Sequence, residues 1–260
     1  LLTVHDPKPH TGADTHVRKR TRHGAYIAQL RHRADALLVH GQRLVADARE
    51  AVGGRVRPVF VLPHGPLGER AARQVAAPQE PGRCLFFGRI EAYKGLRHFI
   101  DMVGRLNARG VAMCGVVAGR GSDLQDHRAQ LQAGPPFELV EKFLSPAEVA
   151  TEFMRADVVV MPYENATQSG VAAYAIGIGR PVVAFDVGAL GEMVQHGCTG
   201  VLVAPGDVAQ LADAVESLIR DRVSNARLAA NALKRGRGEF SWDRIAQGLL
   251  GIYGQLHRAR

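Results

Sequence analysis

Short apolar runs alternate along the chain with longer segments whose apolar residues recur every three to four positions. The runs Leu1–Val4, Ala36–Val39, Val59–Leu62, Cys84–Phe87, Ala112–Ala118, Phe137–Val140, Val158–Met161, Pro181–Phe185 and Val201–Val203 read as strands. The periodic segments Arg18–His32, Gln42–Ala51, Leu96–Ala108, Asp123–Gln132, Pro146–Arg155, Gly170–Ile178, Gly191–His196, Val208–Arg220, Ser224–Arg235 and Trp242–Leu256 read as helices, with Ser145 a cap ahead of Pro146. The strands are apolar throughout instead of alternating. A strand of that kind is buried on both faces, which predicts a doubly wound parallel sheet of the α/β class. Residues 66–82 hold Pro, Gly and Ala with few large apolar side chains, as a linker does.

Composition adds limits. The 260 residues are 46% hydrophobic and 22% charged, which excludes general disorder, collagen-like repeats and a disulfide-rich mini-protein. No apolar run approaches the ~20 residues that cross a bilayer, so no membrane-spanning helix is expected. The opening Leu-Leu-Thr-Val-His-Asp-Pro reads as a strand running into a loop and not as a signal peptide, and the start of a longer protein is expected to precede it. Cys84, Cys114 and Cys198 form no C-x-x-C pair; they read as buried reduced thiols, which points to a reducing, cytoplasmic setting. No metal site is legible.

Charge changes the picture more. The net charge of +8 is concentrated at the start, where residues 1–80 carry 13 Lys/Arg, 7 Asp/Glu and 7 of the 11 His. Nucleic acid, an anionic membrane surface or a phosphorylated substrate would each suit such a piece, and so would plain solvated helix faces. With aromatic residues at 6% and no aromatic–basic motif, stacking platforms are few and no nucleic-acid partner is expected. Arg18, Lys19, Arg20, Arg22, Arg31 and Arg33, interleaved with Tyr26, Ile27 and Leu30, form a basic helix suited either to a membrane surface or to water.

In a doubly wound sheet, ligands bind outside the carboxyl ends of the strands. Four segments after strands carry candidate chemistry. Gly88, Arg89, Lys94 and Gly95 combine close backbone approach, two cations and a helix start, a set suited to a diphosphate or simply to a solvated loop. Gly119-Arg120-Gly121 is a tight turn and a weak nucleotide contact. Glu164 to Val171 leads into a helix of Gly and Ala: the N–H groups around Ser169, Gly170 and Val171 can hold an anion, while Glu164 and Gln168 suit sugar or ribose hydroxyls. Asp186 to Val194 is a Gly-rich turn in which Glu192 suits a helix N-terminus.

The ordered set is specific where each motif is not. Gly-Arg-x4-Lys-Gly, Ala-Gly-x-Gly, Ser-Gly-Val, Gly-Arg-Pro-Val-Val-Ala, Gly-x-x-Gly-Glu-Met-Val and Gly-Val-Leu-Val-Ala-Pro-Gly-Asp occur in one order over roughly residues 83–220. Together they resemble the nucleotide-sugar-binding half of glycosyltransferase family four, the retaining GT-B group. The resemblance implies that Arg89 and Lys94 hold the donor diphosphate and stabilise the departing nucleotide. It implies that Ser169, Gly170 and Val171 offer backbone N–H groups to phosphate, and that Glu141–Leu144 lies at the base. Thr3 to Pro7 resembles the strand end where family members place a His, here His5, near the donor sugar. The segments around Val39-His40 and Pro63-His64 resemble the last elements of the N-terminal domain, and Trp242–Leu256 the helix that crosses back onto it. The expected division is therefore 1–66 for the end of the N-terminal, acceptor-side Rossmann-like domain, 67–82 for the linker, 83–240 for the nucleotide-sugar-binding domain and 241–260 for the returning helix. The family often carries two Glu separated by seven residues before its Gly-Arg-Pro. Ala166 and Tyr174 stand there, so the second acid, usually a ribose contact, is missing.

The resemblance thus implies a retaining, metal-independent glycosyltransferase with no cofactor, moving a sugar from an NDP-sugar donor. The acceptor would be a polysaccharide or lipid-linked glycan, and the setting cytoplasmic, at the inner face of a membrane. Its catalytic set would be His5, Arg89 and Lys94, and its donor-binding set Gly88, Gly119, Glu164, Gln168, Ser169, Gly170 and Val171. A sugar-nucleotide epimerase of similar fold and a non-catalytic nucleotide-sugar-binding remnant are the alternatives.

Overall fold

The structure is a computed structural model that describes residues 1–8, 22–52, 57–133 and 136–258. It contains two parallel sheets. The smaller has the order β1 (Leu2–Thr3), β2 (Leu37–Val39), β3 (Val59–Val61), with α1 (Arg22–Arg33) and α2 (Val45–Glu50) in the connections. Arg18, Lys19 and Arg20 of the expected basic helix lie outside the described residues. The helix expected over Gln42–Ala51 is a 3-10 turn, Gln42–Leu44, followed by α2.

The larger sheet is built from β4 (Arg83–Arg89), β5 (Cys114–Arg120), β6 (Phe137–Val140), β7 (Val158–Met161), β8 (Val182–Phe185) and β9 (Gly200–Val203). Its order is β6-β5-β4-β7-β8-β9, every pairing is parallel, and the apolar runs lie where parallel strands buried on both faces require them. Alternation places Cys84 and Phe86 on one face, packed with Phe99, Met102, Leu106, Leu211 and Val215. Leu85 faces the other way, among Phe153, Ala172 and Ile176. The helices covering these faces are α4 (Leu96–Ala108), α5 (Leu124–Gln132), α6 (Pro146–Arg155), α7 (Gly170–Ile178), α8 (Leu190–Met193), α9 (Val208–Arg220) and α10 (Arg222–Arg237). Each fully enclosed Phe or Leu contributes roughly 1.5–3 kcal/mol over leaving it in water.

Local chemistry sets several boundaries. Ser145 and Glu148 form a reciprocal capping box at α6, while Asp207 and Asp221 cap α9 and α10. The helix expected over Gly191–His196 is shorter, because His196 forms an isolated bridge with Gly200. Strands β4 and β5 run further than their apolar cores, so Gly88 and Gly119 pair within the ladder. A Cβ on Gly119 would lie 1.9 Å from the Gly88 carbonyl oxygen, at φ 142°.

Residues 67–82 are docked against the large sheet's helices. They contain α3 (Glu69–Ala72), Leu67 N–H donates to the Ala173 carbonyl at 3.1 Å, and Gly177 lets the Leu67 backbone approach α7 closely. Helix α11 (Trp242–Arg258) returns to the end of β3. Trp242 Nε1 donates to the Pro66 carbonyl at 3.0 Å, and Gly248 lies against Leu62. The two sheets also meet directly: Ala189, from the large-sheet side, belongs to the apolar cluster of the small sheet.

Candidate functional site

The sheet order fixes where a ligand can enter. From β4 the chain moves outward to β5 and β6, and from β7 it moves the other way to β8 and β9. The connections after β4 and β7 therefore diverge and leave a crevice outside the carboxyl ends of those strands. Two cavities open there, of about 340 and 760 Å³, with Phe87 in the wall of both.

The smaller cavity is lined by Lys94, Tyr163, Gln168, Ser169, Gly170 and Tyr174, among others. Lys94 ends the 3-10 turn Ala92–Lys94 and is 7% exposed. Its Nζ donates to the Phe87 carbonyl at 3.4 Å and sits 5.2 Å from the Tyr163 ring centroid. Burial pushes its pKa down to about 8, the Arg89 charge pushes the same way, and Glu91 opposes both. A Cβ on Gly88 would stand 2.6 Å from Nζ, so glycine there makes room for the cation. Gly95 follows with φ 70° and allows α4 to start against the Pro162 carbonyl.

Helix α7 begins at this cavity. The Ser169 hydroxyl accepts from Ala172 N–H at 3.3 Å, which leaves the N–H groups of Gly170 and Val171 without an intrahelical partner. Tyr163 Oη, Gln168 Oε1 and Tyr174 Oη are buried with no hydrogen-bond partner. Tyr163 Oη feels the Ser169 hydroxyl without a well-formed bond to it, and burial raises its pKa. A buried ammonium, a helix N-terminus and unsatisfied polar atoms on one cavity wall suit an anion that also carries hydroxyls.

The larger cavity is lined by Gly88, Arg89, Glu91, Gly119, Arg120, Ser122, Arg128 and Glu141 to Leu144. Arg89 Nε lies 3.8 Å from Glu91, and its guanidinium also interacts with Tyr93. Arg128 grips Glu141 with two bonds of 2.5 and 2.6 Å. Phe143 stands 91% exposed at this cavity.

Other expected residues sit apart. Glu164 lines neither cavity; its carboxylate is taken by Arg97, at 2.8 Å, and His98, at 3.2 Å, on the first turn of α4. Glu192 accepts from the N–H groups of Gln42 at 2.6 Å and Arg43 at 2.8 Å, so the helical N-terminus it serves belongs to the other sheet's side. Arg43 adds an ion pair to Asp186 at 2.7 Å. His5 follows β1 and meets His40 at 3.1 Å, and Asp6 accepts from the Thr167 hydroxyl across the crevice. Arg31 turns inward, donating to the Asp6 and Pro7 carbonyls at 2.7 and 3.2 Å. Cys84 is buried, Cys114 and Cys198 are half-buried, and all three are free thiols. Among the described residues no group of three His, Cys, Asp or Glu could hold a metal ion, and no helix is long and apolar enough to cross a membrane.

Nothing local in the sequence gives Tyr163 or Arg128 a role, Tyr174 enters only as the residue standing in place of the second acid, and Phe143 only with the Glu141–Leu144 segment that the resemblance puts at the base. Tyr163 comes just before the Glu164–Val171 segment and Tyr174 lies in the helix it leads into, where apolar neighbours make both look like core. Arg128 comes from α5, whose approach to the end of β4 follows only from the strand order.

The fold and crevice define a doubly wound α/β unit beside a second, smaller parallel sheet, the GT-B type of arrangement. The family described as glycosyl transferases group 1 matches residues 81–221, and the chain belongs to that family. It is 30% identical over 245 residues to a D-inositol 3-phosphate glycosyltransferase of Geodermatophilus obscurus, covering 84% of this chain and 54% of that protein. It is 29% identical over 224 residues to a glycogen synthase of Mycobacterium tuberculosis, covering 85% and 54%. The chain thus spans about half the length of these relatives. Among solved structures, a sucrose-phosphate synthase from Thermosynechococcus elongatus superposes with a TM-score of 0.74 at 23% identity, over 100% of this chain and 68% of that one. Anabaena HepE in complex with UDP superposes with a TM-score of 0.76 at 21% identity, over 98% and 72%.

Proposed function

We propose that this chain binds the donor for a metal-independent, retaining glycosyltransferase that takes an NDP-sugar and passes the sugar to a polysaccharide or lipid-linked glycan. The observation that carries the reading is Lys94, a buried ammonium whose hydrogen bond is to one carbonyl, placed at the start of α7. A diphosphate there would meet Lys94 Nζ, the Arg89 guanidinium and the N–H groups of Gly170 and Val171. The base would occupy the larger cavity beside Glu141 to Leu144. HepE, of like fold, is known with UDP and with UDP-glucose, and the relatives' names are those of glycosyltransferases.

In the reaction the bond from the anomeric carbon to the diphosphate oxygen breaks, an acceptor hydroxyl oxygen bonds to that carbon on the same face and gives up its proton to the departing diphosphate, and negative charge grows on the departing phosphate as the bond opens. Lys94 and Arg89 stand where that growth occurs, and fixed charges at a developing anion lower the barrier most. These two side chains do the charge-neutralising work, and the transfer needs no metal. His5 contacts the donor sugar from the opposite wall. Gly88 and Gly119 keep the strand ends free of side chains where the ligand lies. Gln168 has an oxygen awaiting a donor, whereas Glu164 acts through Arg97 and His98 to hold the loop. The basic helix lends itself to an anionic membrane face, although Arg31 is spent within the fold.

The test is calorimetric titration with UDP, GDP, ADP and their sugar conjugates, beside a Lys94→Ala control. One nucleotide binding at micromolar strength and weakening at least 30-fold in the control is expected. Equal binding by the control, or no binding of any nucleotide, overturns the reading.

A further inference from the structure

The three strands of the small sheet each deliver a histidine to one edge. The register Leu2↔Leu37 and Thr3↔Leu38, continued two residues, sets His5 opposite His40. The register Val39↔Val61 likewise sets His40 opposite Leu62. His40 therefore sits between them: its Nδ1 is 3.0 Å from the Leu62 carbonyl oxygen, and its Nε2 is 3.1 Å from His5 Nδ1. The His5 and His40 rings are 4.8 Å apart, and His64 closes the row 5.5 Å from His40.

This geometry leaves one arrangement of hydrogens for neutral rings. A carbonyl oxygen only accepts, so His40 Nδ1 carries the hydrogen. His40 Nε2 is then a bare acceptor, and His5 Nδ1 must donate to it. His5 in turn has its Nε2 bare. The neutrality of His40 is supported by its burial, which lowers its pKa against the opposing pull of the Leu62 carbonyl, while the His5 and His64 rings on either side lower it further.

We infer that His40 is a positioning residue that locks His5 in the Nδ1–H tautomer, so that His5 offers a hydrogen-bond acceptor at Nε2. Which nitrogen of an imidazole is free is set by what the other one bonds, and here the bond is to a second imidazole anchored on the backbone. His5 lies beside Asp6, whose carboxylate ties this loop across the crevice to Thr167, next to Gln168 and Ser169. A bare nitrogen there accepts from a hydroxyl and does not serve a phosphate. That the hydroxyl belongs to the donor sugar rests on the function proposed above; the tautomer does not.

Long-range 1H–15N correlation spectra of the labelled protein, with His5 assigned from His5→Gln, report each ring's tautomer directly. His5 and His40 are both expected as Nδ1–H. The decisive variant is His40→Asn, whose amide reaches the Leu62 carbonyl in place of Nδ1 but has nothing in place of Nε2. In it His5 is expected to revert to the Nε2–H form. A wild-type His5 already in the Nε2–H form overturns the inference, whether or not the variant folds. So does a His5 that keeps its Nδ1 hydrogen in a folded His40→Asn. Adding UDP-glucose to the wild type is a separate arm: a His5 Nε2 resonance that does not move counts against donor contact and leaves the tautomer result standing.

Discussion

Lys94 concentrates the tension between stability and binding into one side chain. With its pKa near 8 instead of the usual 10.5, the buried ammonium costs the free protein about 3 kcal/mol of stability at neutral pH. The folded state binds fewer protons than the unfolded one between those two values, so the cost fades as pH rises from about 8 and is gone near 10.5. Lys94→Met is therefore expected to raise stability at pH 7 by about 1–3 kcal/mol in urea titrations, with the gain shrinking above pH 8. An unchanged or lower stability would show that the ammonium is better compensated than its surroundings suggest. If the proposed donor site binds a nucleotide, its affinity runs the other way. It should fall by up to tenfold per pH unit above about pH 8, as the free ammonium loses its proton, and calorimetry across pH 7 to 10 measures this.

At the scale of elements, Asp157 binds three parts of the chain together. It precedes β7, is fully buried, and accepts from Gln79 at 2.9 Å, Gly82 N–H at 2.8 Å, Arg222 at 2.5 Å and Asn225 at 3.1 Å. One carboxylate thus joins the segment entering β4, the start of β7 and the first turn of α10. Asp157→Leu would leave the buried Gly82 N–H and Asn225 amide without this acceptor and Arg222 without its partner, and a loss of about 3–5 kcal/mol is expected. Thermal unfolding with Arg222→Ala alongside is the check: Arg222 is 44% exposed on its side chain, so its loss should cost less. A tolerated Asp157→Leu would mean that the entering segment holds without it. At the mouth of the site, Ser169→Ala removes the cap of α7 and should cost about 1 kcal/mol, with little direct effect on the free N–H groups of Gly170 and Val171.

Across the whole molecule, the two sheets are held by contacts of unequal worth. The Arg43–Asp186 pair is half in water and should contribute no more than about 1 kcal/mol. Glu192 satisfies two backbone N–H groups of the opposite side, and removing it leaves both without their acceptor. Glu192→Ala is thus expected to destabilise the junction more than Arg43→Ala, by about 0.5–2 kcal/mol, the worth of a cap on two N–H groups at a helix start. Hydrogen exchange at Gln42 and Arg43 reads this locally: faster exchange in Glu192→Ala and little change in Arg43→Ala are expected, and the reverse order would shift the weight to the ion pair.

The sequence by itself determined the class of fold, since apolar runs without alternation leave no other home than a parallel sheet covered on both faces. It also placed Arg89, Lys94 and the Ser169 loop after strands, because glycine and cap chemistry are local. It could not tell that Gly88 and Gly119 pair inside the ladder, that Glu164 is bound to Arg97 and His98, or that Glu192 serves a helix on the other side. Nor could it make one unit of His5, His40 and Leu62. Those facts depend on which strands lie side by side, and strand order is settled by the packing of the whole sheet, where burial outweighs anything a short stretch of chain prefers.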